Sequence, residues 1–531
     1  MKPTICASKR CRTGRGSLRC FAVAALVFVA LAFASGAFAQ GPRDGAPPVG
    51  DEASGEPEEE PASSSRSEPP LDPSSEEALE AGAEAPVDAA KTTKTPEELA
   101  GDVEPSDEAG PDEVWDEFDD WEEEKGDDSG GKAWDFQIGG FVEGLIAPRV
   151  VQSSASENEF VANEARFRLN LDAVHEIASA RFRGDVYADA VTRTIWFDIR
   201  DASVFLRGGN WFNMRLGRQV LTWGTGDFVF LNDLFPKDFN SFFIGRADEY
   251  LKAPSNSIIT TFNIKKVGLD LVWTPIFEPD RFIDGERLSF FNPLLGEITG
   301  DRSDFTPIDP VYPSQRLKNG TFHGRLYGTA GAYELAAYGY AGFWMQPTAL
   351  DLSELQPRPT YARLAVYGAS ARGPLFGGLF NVEAAFYDSF DDWEGTDPTI
   401  PNSQFRGLVG YEHELFPKFQ LGLQYYLEYT FKYDELIANS LWADYEQNEF
   451  RHLITVRLTQ FLVMDKLELS LFVFFSPDEL DTYIRPRITY KLIDPLAIVI
   501  GANLMFGRDD YSFFGQLEQN TNVYARLRYS F

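Results

Sequence analysis

The chain has 531 residues and a formal net charge of −34 at pH 7, which argues against nucleic acid as a partner. The acidity is concentrated, because residues 41–132 alone hold 31 acidic and 6 basic residues, a balance of −25. All three cysteines, Cys6, Cys11 and Cys20, lie near the N-terminus. The remainder can therefore form no disulfide, thiolate metal site or haem attachment.

Residues 1–39 have the three-part pattern of a secretory signal peptide. Residues 2–19 are basic with no acid, residues 21–34 are apolar, and residues 37–39 read Ala-Phe-Ala, a small-x-small cleavage site. The apolar run is shorter than the roughly 20 residues that a membrane-spanning helix needs. We therefore expect cleavage before Gln40 and a mature chain without cysteine.

Residues 40–133 are rich in Pro, Glu, Asp, Ser, Ala and Gly. A segment with so little apolar surface cannot offset the entropy of ordering, so we predict a disordered acidic segment in the periplasm. Within residues 112–121, Trp115, Phe118 and Trp121 recur three apart among acids. They could dock a periplasmic protein, but we favour a solvated acidic spacer, because charge blocks usually mark tails.

From Trp134 onward, apolar and polar residues alternate repeatedly. Around residues 161–174, for example, Phe167 and Leu169 alternate with Arg166 and Arg168. A period of two gives a strand one apolar and one polar face. The sequence has no second apolar stretch of about 18 residues, which argues against a helical membrane protein and leaves the closed β-barrel.

The alternation predicts an all-β fold, a transmembrane antiparallel β-barrel of about 18 strands over residues 134–531, an even number as in bacterial barrels. The predicted strands are 134–146, 161–174, 179–192, 197–207, 211–223, 256–265, 267–276, 320–328, 331–344, 360–372, 378–388, 403–414, 418–431, 449–462, 466–475, 481–492, 496–506 and 520–531.

The predicted connections alternate between long and short. After every even-numbered strand the linker is short, whereas seven of the odd-numbered strands are followed by long linkers. Outer-membrane barrels combine short periplasmic turns with long outer loops in this way.

The last predicted strand ends at Phe531. Val523, Ala525, Leu527 and Tyr529 alternate with polar residues before that terminal aromatic. In this the chain resembles the outer-membrane β-barrel superfamily of Gram-negative bacteria, whose terminal aromatic is a signal to the barrel-insertion machinery. The resemblance implies that the protein is integral to the cell outer membrane, that lipid surrounds the barrel and that Phe531 is the insertion signal.

The fifth strand and the third outer loop form the most distinctive stretch. Gly217-Arg218-Gln219 and Trp223-Gly224 resemble a broad porin-like group that includes alginate-export porins. Long ordered loops usually have a function, and the third loop of general porins narrows the pore. We therefore predict a constriction loop; the alternative is a loop that plugs or braces the barrel. The predicted constriction residues are Asp227, Phe230, Asn232, Asp233, Phe235, Lys237, Asp238 and Arg246.

A ladder of arginines falls on the polar positions of the predicted strands. Rings of one charge select the opposite ion, and guanidinium groups match carboxylate or phosphate. The ladder resembles the arginine-rich lumen of alginate-export porins; the alternative, weighed equally, is mutual pairing with lumen carboxylates in a polar interior. The predicted pore-lining residues are Arg166, Arg168, Arg181, Arg183, Arg215, Arg451, Arg457, Arg485, Arg487, Arg526 and Arg528.

Enzymatic interpretations find little support, because the four histidines are scattered and no nucleophile elbow or phosphate-binding glycine loop occurs. Acidic residues at 391–397 lack calcium-loop spacing, so a solvated loop is favoured over a Ca²⁺ site. We predict a porin-like channel for small or oligomeric, anionic solutes, with no cofactor, metal or enzymatic activity. The alternative is a closed structural barrel whose acidic segment docks a periplasmic protein. The sequence does not indicate the oligomeric state.

Overall fold

The computed structural model describes residues 134–302, 309–353 and 357–531. The predicted signal peptide, the predicted acidic segment and its tryptophan-containing stretch at 112–121 lie outside these residues. They remain predictions.

The described residues form twenty-two strands, and eighteen of them belong to one sheet. Four short strands, β8, β9, β12 and β13, pair in outer loops. The strands are β1 Asp135–Pro148, β2 Phe160–His175, β3 Ala178–Asp189, β4 Thr194–Arg207, β5 Phe212–Gln219, β6 Ser255–Ile264, β7 Val267–Thr274, β8 Phe290–Asn292, β9 Glu297–Thr299, β10 Thr321–Ala330, β11 Tyr333–Phe343, β12 Ala349–Asp351, β13 Arg358–Thr360, β14 Arg363–Leu375, β15 Gly378–Asp388, β16 Gln404–Phe416, β17 Phe419–Thr430, β18 Phe450–Leu462, β19 Leu467–Ser476, β20 Asp481–Ile493, β21 Leu496–Phe506 and β22 Asn522–Ser530.

Each barrel strand pairs antiparallel with the next one along the chain, and β1 pairs with β22 to close the sheet. At this junction Phe141 lies opposite Ser530, and the backbone of Phe531 exchanges hydrogen bonds of 2.9 and 3.0 Å with Gly140. Closure leaves no unpaired edge strand in the barrel. The predicted fold, a closed antiparallel barrel of eighteen strands, is confirmed.

All eighteen predicted strands match an observed one, with ends that agree within four residues. The largest difference is at the fifth strand, predicted to reach residue 223 but ending at Gln219. The chain leaves the wall there. The alternation continues into the following loop because Trp223 still packs inward, with its ring 5.0 Å from that of Phe235.

The connections after even-numbered barrel strands are tight turns of two to four residues. The turn between β14 and β15, for instance, is Phe376-Gly377, with φ angles of 50° and 81°. Positive φ at both positions matches the twist of a two-residue hairpin. Most of the opposite connections are long, so the predicted alternation is confirmed.

The two faces of the wall differ in polarity. On β2, Phe167 and Leu171 point outward and are 42% and 37% exposed, whereas Arg166 and Arg168 are buried inside. The same division recurs around the barrel, giving an exposed apolar outer face and a polar lumen, as a transmembrane barrel requires.

Helical elements are short and lie in the long loops. None of the helices in the described parts of the chain has the length and apolar character of a membrane span. The helical segments are α1 Phe239–Phe243, η1 Asp248–Leu251, η2 Leu317–Asn319, α2 Tyr433–Asn439, η3 Ala443–Tyr445 and η4 Gly515–Asn520.

Candidate functional site: the loop inside the barrel

Residues 220–254, here called the inner loop, connect β5 to β6 and carry α1 and η1. The loop reaches distant parts of the wall. Asn232 contacts β15, Phe242 contacts β20, and Arg246 contacts β2. Because these strands lie at different positions around the barrel, the inner loop crosses the lumen.

One end of the loop is fixed to β15 by Glu383, whose side chain is buried. Its carboxylate accepts hydrogen bonds of 2.8 Å from Asn232 Nδ2 and Thr225 Oγ1. Nearby, Asn381 Nδ2 donates to the Thr225 carbonyl and Tyr387 Oη donates to the Leu231 carbonyl, each at 2.6 Å. Since every contact is a specific hydrogen bond, the loop has a defined register against β15.

The middle of the loop is held by three phenylalanines, Phe228, Phe242 and Phe243, here called the apolar anchor. The Asp238 carboxylate caps α1 by accepting from Ser241 N at 2.8 Å, which fixes the helix that carries two of the rings. Aromatic pairs with centroids at these separations stabilise a contact beyond simple burial. The wall partners, with ring-centroid distances, are Phe472 to Phe228 (5.1 Å), Tyr483 to Phe242 (5.6 Å) and Tyr483 to Phe243 (5.3 Å).

Beyond the apolar anchor, Arg246 is buried against β2. Its Nε donates to Glu164 at 3.0 Å, and its Nη1 donates to Ser241 Oγ at 2.9 Å. Glu164 also pairs with Arg166 at 3.1 Å. Although burial alone would lower the pKa of Arg246, its pairing with Glu164 raises it above the ordinary value. The pair therefore stays ionised.

The next residues, Asp248 and Glu249, are here called the hook. They lie on η1 and point their carboxylates at arginines of the wall. Asp248 bridges two arginines of β20, with Oδ1 2.8 Å from Arg485 Nη2 and Oδ2 2.8 Å from Arg487 Nη1. Burial tends to raise the pKa of Asp248, but the two arginines outweigh it and hold the pKa well below the ordinary range.

Glu249 bridges two other strands. Its Oε2 is 2.6 Å from Arg168 Nη1 on β2, and its Oε1 is 3.2 Å from Arg528 Nη2 on β22. Its backbone carbonyl accepts from Arg200 of β4 at 2.7 Å. Burial acts to raise the pKa of Glu249, and Arg168, then Arg528, lower it by more. Both hook carboxylates are therefore anions at neutral pH.

Lys237 of the inner loop forms a buried acid–amine pair. Lys237 Nζ lies 2.9 Å from Asp233 and 4.6 Å from the ring centre of Phe230, and the backbone N–H of Lys237 donates to Asp280 at 2.8 Å. Asp280 lies in the connection after β7. Burial raises the pKa of Asp280 to about 7, against the opposing influence of Lys237.

All eight predicted constriction residues lie in the inner loop, and six of them contact the wall or another loop: Asp227, Asn232, Phe235, Lys237, Asp238 and Arg246. Asp227 pairs with Arg457 at 3.2 Å, Phe235 stacks on His323 at 4.4 Å, and Asp238 lies 3.4 Å from Arg281. Their role in narrowing a pore stays a prediction.

The eleven predicted pore-lining arginines all fall on the inward face of the wall, as their alternation with exposed apolar residues shows. Most of these arginines form ion pairs with carboxylates. The ion pairs are Arg166 with Glu164 and Asp185, Arg168 with Asp185 and Glu249, Arg181 with Asp172, Arg215 with Asp201, Arg457 with Asp227 and Glu412, Arg485 with Asp248, Arg487 with Asp248 and Glu468, Arg526 with Glu143, and Arg528 with Glu143 and Glu249.

The two remaining arginines of the ladder are Arg183 and Arg451. The guanidinium of Arg451 lies 4.5 Å from the ring centre of Phe513, in the loop between β21 and β22. Most of the ladder is thus a set of arginine–carboxylate pairs, which favours the second of the two interpretations of the sequence. Five of these pairs draw their acid from the inner loop rather than from the wall.

The hook was missed by the sequence analysis. Acids in a long loop are typical of solvated surface, and nothing in the local pattern shows that they face arginines over 230 residues away. The available signal was position: Asp248 and Glu249 follow a loop dense in phenylalanine, which predicts an interior location.

On the side of the short turns, β2 to β5 border a recess in the lumen. Asp172 and Arg181 pair there at 3.1 Å. Its lining also includes His175, Ser203, Phe205, Arg207 and Arg215.

The acidic outer loop at 391–397 is arranged around its own backbone. Asp392 accepts from the backbone N–H of Gly395 at 3.2 Å and of Asp397 at 2.7 Å. Within the described ranges, no group of three or more His, Cys, Asp or Glu residues is placed to hold a metal ion.

No protein-family model and no curated protein sequence matches the chain. Among solved structures it is similar to OccK11 (OpdR) of Pseudomonas aeruginosa, with 10% identity, TM-score 0.45, and 74% of this chain and 95% of that chain covered. OccAB3 of Acinetobacter baumannii gives 11%, 0.45, 75% and 99%, and a mutant of the Rh. blastica porin gives 10%, 0.34, 75% and 100%. The resemblance to alginate-export porins stays a prediction.

Proposed function

We propose that the protein is a porin-like channel of the outer membrane, through which small or oligomeric, anionic solutes diffuse past the inner loop. The observation that carries the proposal is a loop that crosses a polar lumen inside a closed transmembrane barrel. Barrels of 16–18 strands are wide enough to leave an aqueous channel, whereas barrels of about eight are filled by their own side chains.

The proposed preference for anions is supported by the charge around the hook. Five arginines contact it, namely Arg168, Arg200, Arg485, Arg487 and Arg528. Their ion-pair partners on the wall include Asp185, Glu143 and Glu468. Guanidinium groups match carboxylate and phosphate groups, so this cluster of arginines suits an anionic solute.

The constriction is proposed to act through the inner loop's own side chains. Its phenylalanines pack against β19 and β20, and its carboxylates pair with the arginines of β2, β20 and β22. A solute then passes along a charged wall with its width limited by aromatic rings. No cofactor takes part, and the protein is proposed to transport rather than to transform its solute.

The test is single-channel conductance of the refolded mature protein in planar bilayers, with the reversal potential measured under a KCl gradient. We expect steady openings that prefer chloride. Replacing Arg485, Arg487, Arg526 and Arg528 with glutamine should reduce that preference. A folded, heat-modifiable barrel that never conducts would refute the channel and direct attention to the alternative, a closed barrel with a periplasmic partner.

Flux without turnover separates the channel from an outer-membrane enzyme. Liposomes containing the protein should release a trapped anionic solute in unaltered form. Release of a chemically changed solute would contradict the proposal.

A further inference from the structure

The hook adds two carboxylates to a cluster of wall arginines. The wall acids Asp185, Glu143 and Glu468 also pair with this cluster, and two of them are shared with further arginines: Asp185 with Arg166, and Glu143 with Arg526. The hook carboxylates come from a loop and not from the wall itself.

Each hook carboxylate occupies a site of the kind that a dissolved carboxylate would bind. Asp248 uses both oxygens to bridge Arg485 and Arg487, and Glu249 uses both to bridge Arg168 and Arg528. Guanidinium groups bind carboxylates through such paired, charge-assisted hydrogen bonds. The wall thus presents two adjacent carboxylate sites on three different strands.

The hook is partly exposed, and its partners are less so. The side chains of Asp248 and Glu249 retain 26% and 36% of their accessible surface, against 8% for Arg485 and 5% for Arg168. Part of each carboxylate side chain is therefore accessible, and rotation about its own side-chain bonds is the movement that would release it. The neighbouring backbone need not move, because Tyr250 stays fixed by its hydroxyl, which donates to Asp185 at 2.7 Å.

We propose that the hook is an internal competitor of the solute: a solute with two carboxylates binds in the lumen by displacing Asp248 and Glu249 from the four arginines. This inference rests on the proposed channel and specifies the solute class and its control. Competition keeps the arginines neutralised in the empty channel. It also weakens solute binding, so that a dicarboxylate can leave as well as enter.

The experiment uses the full mature protein in planar bilayers, with succinate as the probe and acetate as the one-carboxylate comparison. Residence of succinate in the lumen is read from interruptions of the chloride current. In the variant Asp248→Asn/Glu249→Gln we expect succinate to half-block the current at a concentration at least about tenfold lower than in the parent, the factor that corresponds to about 1.4 kcal/mol of binding free energy. Acetate should change far less, because it can fill only one site.

The matched control is Asp434→Asn/Glu435→Gln. These residues form the same Asp-Glu pair on α2, lie exposed in an outer loop and change the net charge equally. Their replacement should leave the half-blocking concentration unchanged. If the control variant shows the same increase in affinity as the hook variant, general charge and not competition is responsible, and the inference fails.

A second variant replaces the wall arginines instead of the hook carboxylates. Arg485→Gln/Arg487→Gln removes the partners of Asp248 and should abolish the block by succinate while chloride still passes. Calorimetry of succinate binding to the detergent-solubilised barrel gives the same comparison without a bilayer. Equal succinate affinity in parent and hook variants that both conduct overturns the competitor and leaves the channel standing. Absence of conductance in every folded variant instead overturns the proposed function on which it rests.

Discussion

The inner loop is attached to the barrel wall in two physically different ways. The apolar anchor buries aromatic rings against β19 and β20, where water is excluded and no particular partner atom is required. The hook is held by directed ion pairs, with its carboxylate side chains still partly exposed. The first attachment positions the loop permanently, whereas the second can exchange its partner for another of the same chemistry.

The expected free-energy contributions of the two attachments also differ. Removing a buried aromatic side chain costs about 3–5 kcal/mol, partly because it leaves a cavity. A partly exposed ion pair contributes less than a fully buried one, because water and salt screen it. The contrast can therefore be tested by loosening each attachment separately.

The largest effect is expected from Phe242→Ala in the apolar anchor. Loss of its contacts with Phe243 and Tyr483 should lower the free energy of unfolding by about 3–5 kcal/mol. It should also raise single-channel conductance, because the middle of the loop is freed. Denaturant unfolding and bilayer recordings measure the two effects. The control is Phe322→Ala on the outer face, and unchanged conductance in Phe242→Ala would show that the apolar anchor does not restrict the lumen.

The next largest effect on stability is expected from replacing the buried Arg246, for which the partly exposed Asp248 is the comparison. Arg246→Gln breaks a buried pair and leaves the Glu164 carboxylate with less compensation, which should cost about 3 kcal/mol. Asp248→Asn in the hook should cost less, because the Asp248 side chain keeps 26% of its accessible surface, against 7% for Arg246. Denaturant unfolding of both variants gives the comparison. Equal losses would mean that the hook is as structural as the buried pair, contrary to its proposed exchange.

A smaller effect is expected from the pH dependence of stability that Asp280 causes beside Lys237 of the inner loop. The pKa of Asp280 is raised to about 7 in the folded protein, mainly by burial, with Lys237 lowering it and Asp233 raising it. A folded pKa above the unfolded value means that the folded state binds the extra proton. Stability should therefore increase as the pH falls from above 7 towards the unfolded pKa near 4. Thermal unfolding between pH 8 and pH 5 measures this, and Asp280→Asn should flatten the profile. A profile unaffected by that substitution would assign the dependence to another group.

The smallest effect is expected outside the lumen. Lys418 and Asp465 pair at 2.6 Å in neighbouring short turns, but both side chains are more than half exposed. Lys418→Ala should change the free energy of unfolding by less than about 0.5 kcal/mol and leave conductance and selectivity unchanged. A change in ion selectivity would show that the turns, and not only the lumen, control the permeating ion.

The barrel could be predicted from the sequence because its signal is local. Alternation along β2, with Phe167 outside and Arg168 inside, requires only neighbouring residues, and the turn at Gly377 is marked by its own composition. The inward fold of the third loop was also suggested by its phenylalanines, since so many aromatic residues are unfavourable in water.

The partners of the lumen arginines could not be predicted. Arg485 and Asp248 are 237 positions apart in the sequence, and Arg528 and Glu249 are 279 apart. Alternation places an arginine on the inner face but carries no information about which loop residue will face it. Tertiary structure therefore decides whether the lumen arginines form a cationic surface or pair with carboxylates. The sequence alone is compatible with both interpretations.

The junction between β1 and β22 has a consequence for how the barrel assembles. Every other pairing joins barrel strands that follow each other directly, so the sheet can lengthen hairpin by hairpin. The junction alone brings together residues as far apart as Phe141 and Ser530, through only six paired positions. Bringing such distant ends together costs about 5 kcal/mol in chain entropy if the intervening chain is still unfolded, and far less once the growing sheet has curved. Closure is thus a late, single event of high contact order, and its rate should depend on the curvature already achieved by the seventeen local pairings.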